Sequence, residues 1–216
     1  MTDASFGIIG GADGPTAIFV SGSAAALWLP LVIVLLLVHI GAALLWRRKK
    51  RVLAYTAVVA DVLLLDALTK LWTVVNLSLG ESCGFLPGVI RLTRVHNYGA
   101  AWSSFSGMRV LLIALTSLGL AVIVWLLVKI VRHPLGVWPL LCVVGGGLGN
   151  LWNRIVLGYV IDMIDLEFMN YPIFNVADIF VVCGTILAGV YYLYFYEKCD
   201  AANWGKLHGN DPAASN

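Results

Sequence analysis

Charged residues are scarce in this chain. Asp, Glu, Lys and Arg make up 12% of its 216 residues, whereas 60% of the residues are hydrophobic. A soluble domain carries about 25% charged residues. The shortage of charge, together with apolar runs of about 20 residues, places the chain among membrane proteins. The net charge of only +2 provides no basic balance of the kind that a nucleic-acid-binding protein needs.

The four cysteines form no pattern that is typical of a metal site or a disulfide framework. None belongs to a CxxC pair or to a Cys/His cluster, and Cys142 and Cys183 lie within apolar runs. Cysteine in such a run behaves as a small hydrophobic residue. We therefore expect no metal and no cofactor.

Positive charge is also missing from the start of the chain. The first 23 residues contain no Lys or Arg, so they lack the basic region of a secretory signal peptide. Basic residues instead follow the first apolar run, at 47–51, and the third, at Lys129 and Arg132. The positive-inside rule places these ends in the cytoplasm. The predicted topology is therefore five spans with an outer N-terminus and a cytoplasmic C-terminus, at about 24–46, 52–75, 110–131, 136–157 and 174–196.

Two polar stretches separate these runs on the predicted outer side. Residues 76–108 are rich in glycine and contain β-branched residues, which predicts short strands in a small extracytoplasmic β lobe. Residues 158–173 form a link that carries Asp162, Asp165 and Glu167 but no Lys or Arg. The fold class is thus an all-α polytopic membrane protein with a small β lobe.

The second apolar run carries charge on one helical face. Asp66, Thr69 and Lys70 lie at i, i+3 and i+4, a spacing that brings side chains together on a helix. A self-neutralising ion pair near the membrane boundary explains this pattern structurally. A role in a functional site explains it equally well.

Two carboxylates suggest the chemistry. Asp162 follows the fourth run and Asp178 lies near the start of the fifth, so both can lie at the same depth. Two carboxylates in a poorly solvated pocket cannot both ionise easily, and the pair then contains an acid and a base. Such a pair can activate a water for attack on a peptide carbonyl and protonate the leaving nitrogen without a metal. Polar residues at helical spacing could support it, namely Asn150, Arg154 and Asn175.

Four blocks of polar and small residues occur in this order along the chain: 66–70 (DALTK), 97–103 (NYGAAWS), 149–162 (GNLWNRIVLGYVID) and 174–178 (FNVAD). In these blocks and their order, the sequence resembles the lipoprotein signal peptidase family, also called signal peptidase II, whose members are intramembrane aspartic proteases of bacteria. The resemblance runs from about residue 54 to residue 196.

The resemblance implies a four-helix transmembrane core, with the β lobe between core helices 1 and 2 and an active site near the extracytoplasmic face of the cytoplasmic membrane. It implies cleavage of prolipoprotein signal peptides just before a diacylglyceryl-modified cysteine, with Asp162 and Asp178 as the catalytic dyad. The implied partners are these prolipoproteins and membrane lipid. The implied supporting or substrate-binding residues are Asp66, Lys70, Asn97, Asn150, Arg154 and Asn175.

The sequence departs from the family pattern at three positions. Trp102 stands where Phe is usual, and Met163 follows the first catalytic Asp in place of Phe. Asn153 replaces the usual Asp beside Arg154, which removes a charge that could pair with the guanidinium. We expect this third change to matter most.

The family core has four spans, so the chain divides into an N-terminal extension (1–51), the peptidase-like core (52–197) and a polar cytoplasmic tail (198–216). Residues 7–21 of the extension resemble a Gly-rich segment of the β subunit of sodium-translocating decarboxylases, with Asp13 at the acidic position. The alternative function is therefore a membrane subunit of an ion-translocating complex, with Asp13, Asp66 and Asp178 on a cation path.

Overall fold

In a computed structural model, the chain is described over residues 50–99, 105 and 107–201. Four helices in this part are long and apolar enough to cross a membrane. They are α1 (Lys50–Asn76), α2 (Arg109–Lys129), α3 (Pro134–Val156) and α4 (Val176–Tyr194). The predicted four-helix core is confirmed. The predicted extra span at 24–46 and Asp13 lie outside the described residues.

Helix α3 is the central helix of the bundle because its glycines let its neighbours approach closely. A Cβ atom on Gly145 would lie 2.7 Å from the Cβ of Val62 in α1. A Cβ on Gly146 would collide with the carbonyl oxygen of Ala177 in α4. Small residues at such contacts let helix backbones pack directly against each other in a membrane. This packing aligns the ends of α1, α3 and α4, where the polar side chains lie.

The β lobe is a three-stranded antiparallel sheet in the order β1-β2-β3. Strands β1 (Ser82–Leu86) and β2 (Ile90–Asn97) lie between α1 and α2, as expected. Strand β3 (Val160–Leu166) comes from the acidic link between α3 and α4, which was predicted only as a link. Its pairing with β2 places Val95 opposite Asp162 and Arg91 opposite Asp165.

The start of the predicted tail packs onto the bundle. Residues Glu197–Ala201 form a π-helical turn after α4, and Asp200 within it is buried. The division of the chain at residues 51 and 197 remains a prediction.

Candidate active site

Asp178 and Asn175 begin helix α4 with a reciprocal cap. The Asn175 side-chain oxygen accepts a hydrogen bond from the Asp178 backbone N–H at 3.0 Å. The Asp178 carboxylate accepts one from the Asn175 backbone N–H, also at 3.0 Å. This capping box satisfies two backbone donors that a helix start otherwise leaves open. It also fixes the direction of the Asp178 carboxylate.

Asp162 lies on β3, and side-chain amides hold both of its oxygens. Asn97, at the end of β2, donates to Oδ2 at 2.8 Å. Asn175 donates to Oδ1 at 2.6 Å. The carboxyl group is buried, with the residue only 1% exposed. The sheet and the α4 cap therefore meet at this side chain.

Asn150 connects the two carboxylates to the rest of the bundle. Its amide nitrogen donates to Asp178 Oδ1 at 2.7 Å. Its oxygen accepts hydrogen bonds from Asn175 Nδ2 and Lys70 Nζ, both at 3.1 Å. Asn150 thus joins α1, α3 and α4 in one polar network.

The charged face of α1 belongs to the same network. Lys70 Nζ lies 2.7 Å from Asp66 Oδ2 in a fully buried ion pair. The other Asp66 oxygen accepts a hydrogen bond from the Ala177 backbone N–H in the first turn of α4. The ion pair that the spacing predicted is therefore present, and it is part of the network that surrounds the carboxylates. A role of this helical face in a functional site stays a prediction.

Burial and a neighbouring charge alter the acidity of Asp162. Burial, followed by the negative charge of the nearby Asp178 carboxylate, raises the pKa of its carboxyl group from 3.8 to about 6. The hydrogen bonds from Asn97 and Asn175 act in the opposite direction because they favour the charged form. The Asp178 carboxylate therefore lies close enough to influence the ionisation of Asp162.

Comparison with known proteins identifies the family of this chain. The model of the family described as Signal peptidase (SPase) II matches residues 58–194. The chain belongs to this family. It is therefore a peptidase, and its four apolar helices make it a multi-pass protein of the cytoplasmic membrane.

Relatives and solved structures agree with the assignment. The lipoprotein signal peptidase of Enterococcus faecalis is 43% identical over 145 residues, which cover 66% of this chain and 87% of that protein. The lipoprotein signal peptidase of Lactococcus lactis subsp. cremoris is 38% identical over 138 residues, covering 64% and 91%. A bacterial membrane enzyme solved by the in meso method at 2.3 Å superposes with a TM-score of 0.63 and 27% identity, over 65% of this chain and 87% of that one.

Arg154 contacts the segment that follows β2. Its Nη2 donates to the carbonyl oxygen of Gly99 at 3.0 Å. Gly99 follows β2, so Arg154 ties the end of the sheet to α3. Its Nε is buried without a hydrogen-bond partner among the described residues.

Asn153 is a support for β3. It is fully buried, and its side-chain oxygen accepts a long hydrogen bond of 3.4 Å from the Ile161 backbone N–H. Its Nδ2 has no partner in the described part of the chain. The expectation that this position pairs with Arg154 in relatives remains a prediction. In this chain the side chain contacts the backbone next to Asp162.

Two arginines that support the site were not predicted. Arg109, at the start of α2, donates to the carbonyl oxygens of Arg154 and Ile155, each at 2.7 Å. Arg94, in β2, donates to the carbonyl oxygen of Leu77 at 2.9 Å and to that of Val74 at 3.2 Å. Both satisfy carbonyls at the end of a helix. The sequence carries no local signal for these contacts, since each bridges elements distant in the chain.

Gly149 provides the space for the buried ion pair. A Cβ atom at this position would lie 2.6 Å from Asp66 Oδ2. The glycine before Asn150 therefore lets the Asp66 carboxylate reach the surface of α3. In the sequence, its position directly before Asn150 is the one signal for this role. The contact itself becomes visible only in the packing of α1 on α3.

Proposed function

We propose that this chain cleaves the signal peptide of bacterial prolipoproteins just before the diacylglyceryl-modified cysteine, with a water activated by Asp162 and Asp178. One observation carries the proposal. The amide nitrogen of Asn175 contacts the Asp162 carboxylate at 2.6 Å, while its backbone N–H contacts the Asp178 carboxylate at 3.0 Å. A single residue thus holds two carboxylates from different elements side by side.

The reaction needs one proton shared by the pair. The ionised carboxylate removes a proton from water as its oxygen attacks the scissile carbonyl carbon. The protonated carboxyl group donates its proton to the leaving nitrogen as the carbon–nitrogen bond breaks. Bound substrate excludes water from the site and disfavours a second negative charge, so the pair keeps its proton at neutral pH.

The surrounding groups position the pair. Asn97, Asn150 and Asn175 hold the carboxylates through amide hydrogen bonds. The Asp66–Lys70 ion pair places a cation near them without occupying either carboxylate. Arg154 holds the backbone at Gly99. These six residues are the proposed supporting set.

We also propose that the site lies near the extracytoplasmic face. Asn76, at the end of α1, and Val176, at the start of α4, lie at the same end of the bundle as the sheet. The opposite end carries Arg51, Lys129 and Arg132. The positive-inside rule places that basic end in the cytoplasm.

Cleavage of a defined substrate by purified protein tests this function. We expect a diacylglyceryl-modified prolipoprotein to be cut by the wild-type protein, with the rate falling about 100- to 10,000-fold in Asp162→Asn and Asp178→Asn. Asp165→Asn is the matched control, because Asp165 is on the same strand but pairs with Arg91. A wild-type rate in either dyad variant would contradict the proposed dyad.

Two further measurements test the recognition of the lipid group and a reaction without metal. A substrate with an unmodified cysteine should remain intact, and equal cleavage of both substrates would contradict the proposed recognition of the lipid group. A chelator should leave the rate unchanged. Inhibition by the chelator that an added metal reverses would contradict a reaction carried by carboxylates alone.

A further inference from the structure

A cavity lies at the end of the bundle opposite the candidate active site. Its volume is about 400 Å³, a size typical of small-molecule sites. Three elements form it, namely the start of α1, the α2–α3 connection with the start of α3, and the π-helical turn after α4. The residues used below to characterise it are Arg51, Tyr55, Arg132, His133, Trp138 and Asp200.

The cavity carries positive charge on separate elements. Arg51, in the first turn of α1, and Arg132, in the α2–α3 connection, both line it and both are exposed. No carboxylate of the described chain lies within ion-pair distance of Arg51. Guanidinium groups bind phosphate oxygens through paired N–H donors. The two arginines can therefore approach one phosphate from different sides.

Asp200 is the one carboxylate among the described lining residues, and it already has partners. Asp200 is buried and accepts hydrogen bonds from the backbone N–H groups of Arg132 and His133 at 3.1–3.3 Å. It also accepts a hydrogen bond from the Tyr191 hydroxyl at 2.6 Å. These hydrogen bonds fix the α2–α3 connection to the turn after α4. Among the described lining residues, two guanidinium groups stand against one carboxylate, and this excess of positive charge suits a phosphodiester.

The aromatic residues indicate the depth of the cavity in the membrane. Tyr55 and Trp138 pack edge to face, with ring centroids 5.6 Å apart. Trp and Tyr are enriched at the level of lipid headgroups, and this pair lies at the ends of two membrane-spanning helices. Basic pockets between such helix ends bind anionic headgroups. A free phosphate would use the arginines but would gain nothing from the aromatic wall.

We propose that this cavity binds the headgroup of an anionic glycerophospholipid, with Arg51 and Arg132 on its phosphodiester and Trp138 against its glycerol region. The lipid would hold the starts of α1 and α3 together in the leaflet opposite the candidate active site. The proposal is independent of the peptidase reaction, because none of these residues contacts the Asp162 and Asp178 network.

Lipid retention measures the binding directly. The full chain is reconstituted in nanodiscs of phosphatidylcholine with about 30% phosphatidylglycerol, an amount chosen to give both lipids a measurable signal, and the lipids that stay bound on release are counted by native mass spectrometry. We expect one retained phosphatidylglycerol per chain. Arg51→Gln and Arg132→Gln should each weaken its retention about fivefold, which corresponds to about 1 kcal/mol per basic residue at an anionic surface.

Lys129→Gln is the matched control, because Lys129 is an exposed cation at the same end of the bundle that does not line the cavity. It should retain phosphatidylglycerol as the wild type does. Arg51→Lys keeps the positive charge and should therefore retain more phosphatidylglycerol than Arg51→Gln. This comparison separates the loss of the charge from a loss caused by misfolding. Equal losses in Lys129→Gln, or equal retention of the two lipids by the wild type, would overturn the proposal.

Competition distinguishes the two sources of phosphate. Inorganic phosphate and glycerol phosphate are added to the nanodiscs before release. We expect neither to displace the retained lipid. Displacement by inorganic phosphate at the same concentration as phosphatidylglycerol would mean that the cavity is a free-phosphate site. This result would overturn the assignment to a lipid headgroup.

Discussion

Each end of this helix bundle buries aspartate, and the partners of the carboxylates differ. At the sheet end, Asp162 and Asp178 accept hydrogen bonds mainly from the amides of Asn97, Asn150 and Asn175. At the opposite end, Asp200 accepts hydrogen bonds from two backbone N–H groups and one tyrosine hydroxyl.

The surroundings of the carboxylates separate the proposed catalytic pair from Asp200. Burial and the neighbouring Asp178 carboxylate raise the pKa of Asp162, so Asp162 can hold a proton at a pH where an isolated aspartate cannot. The donors to Asp200 instead join the α2–α3 connection to α4 and the turn after it. Burial of an aspartate is therefore a poor guide to its role, and the groups that surround it are a better one.

The largest effect on stability should come from breaking the buried ion pair at the sheet end. Lys70→Met leaves the Asp66 carboxylate buried without its cation, which should lower the free energy of unfolding by about 3–5 kcal/mol. Peptidase activity should also fall, because Lys70 contacts Asn150. Denaturation in mixed micelles measures the first effect.

The exposed ion pair of the sheet is the control for that variant. Arg91 and Asp165 lie 2.5 Å apart, but the Arg91 side chain is 45% exposed. Arg91→Met should therefore cost no more than about 1 kcal/mol. Equal losses in the two variants would contradict the importance assigned to burial.

The protonation state of Asp162 should have a smaller effect on the free energy of unfolding. Because its pKa is raised in the folded protein to about 6 from 3.8, the folded state binds more protons than the unfolded state between these values. The stabilisation is complete below pH 3.8 and is lost as the pH rises through 6. Relative to Asp162→Asn, the wild type should lose about 2 kcal/mol of unfolding free energy between pH 4 and pH 7.

Unfolding curves of both proteins at several pH values test this sign. Asp162→Asn serves as the reference because its side chain does not titrate. The contributions of all other titrating groups therefore cancel in the difference between the unfolding free energies of the two proteins. A difference that stays constant across this pH range, or grows in favour of the wild type, would contradict the raised pKa.

The smallest effect should come from the opposite end. Tyr191→Phe removes one of the Asp200 donors while the backbone donors remain, so the free energy of unfolding should fall by about 1 kcal/mol, the net contribution of one hydrogen bond. The cleavage rate should not change, because Tyr191 lies far from the sheet end along α4. Tyr192→Phe is the matched control, since Tyr192 is exposed. A lower cleavage rate in folded Tyr191→Phe would show that the two ends are coupled.

Much of the fold was predictable because its signals are local. Apolar runs long enough to cross a bilayer predicted four helices within a few residues of their observed bounds. The spacing of Asp66 and Lys70 predicted their shared face, and the FNVAD block contained the complete cap of α4. The family assignment also followed from short blocks whose residues are close in the chain.

The sequence by itself determined the spans, the ion pair on α1 and the identity of the polar residues, because helix periodicity and capping depend on residues within one or two turns. Only the tertiary structure decided how they meet. It paired β3 with β2, placed Asn97 against Asp162, directed Arg154 to Gly99 and buried Asp200 beneath the α2–α3 connection. These contacts join residues from separate elements, and their geometry depends on how closely the glycines of α3 let the helices pack.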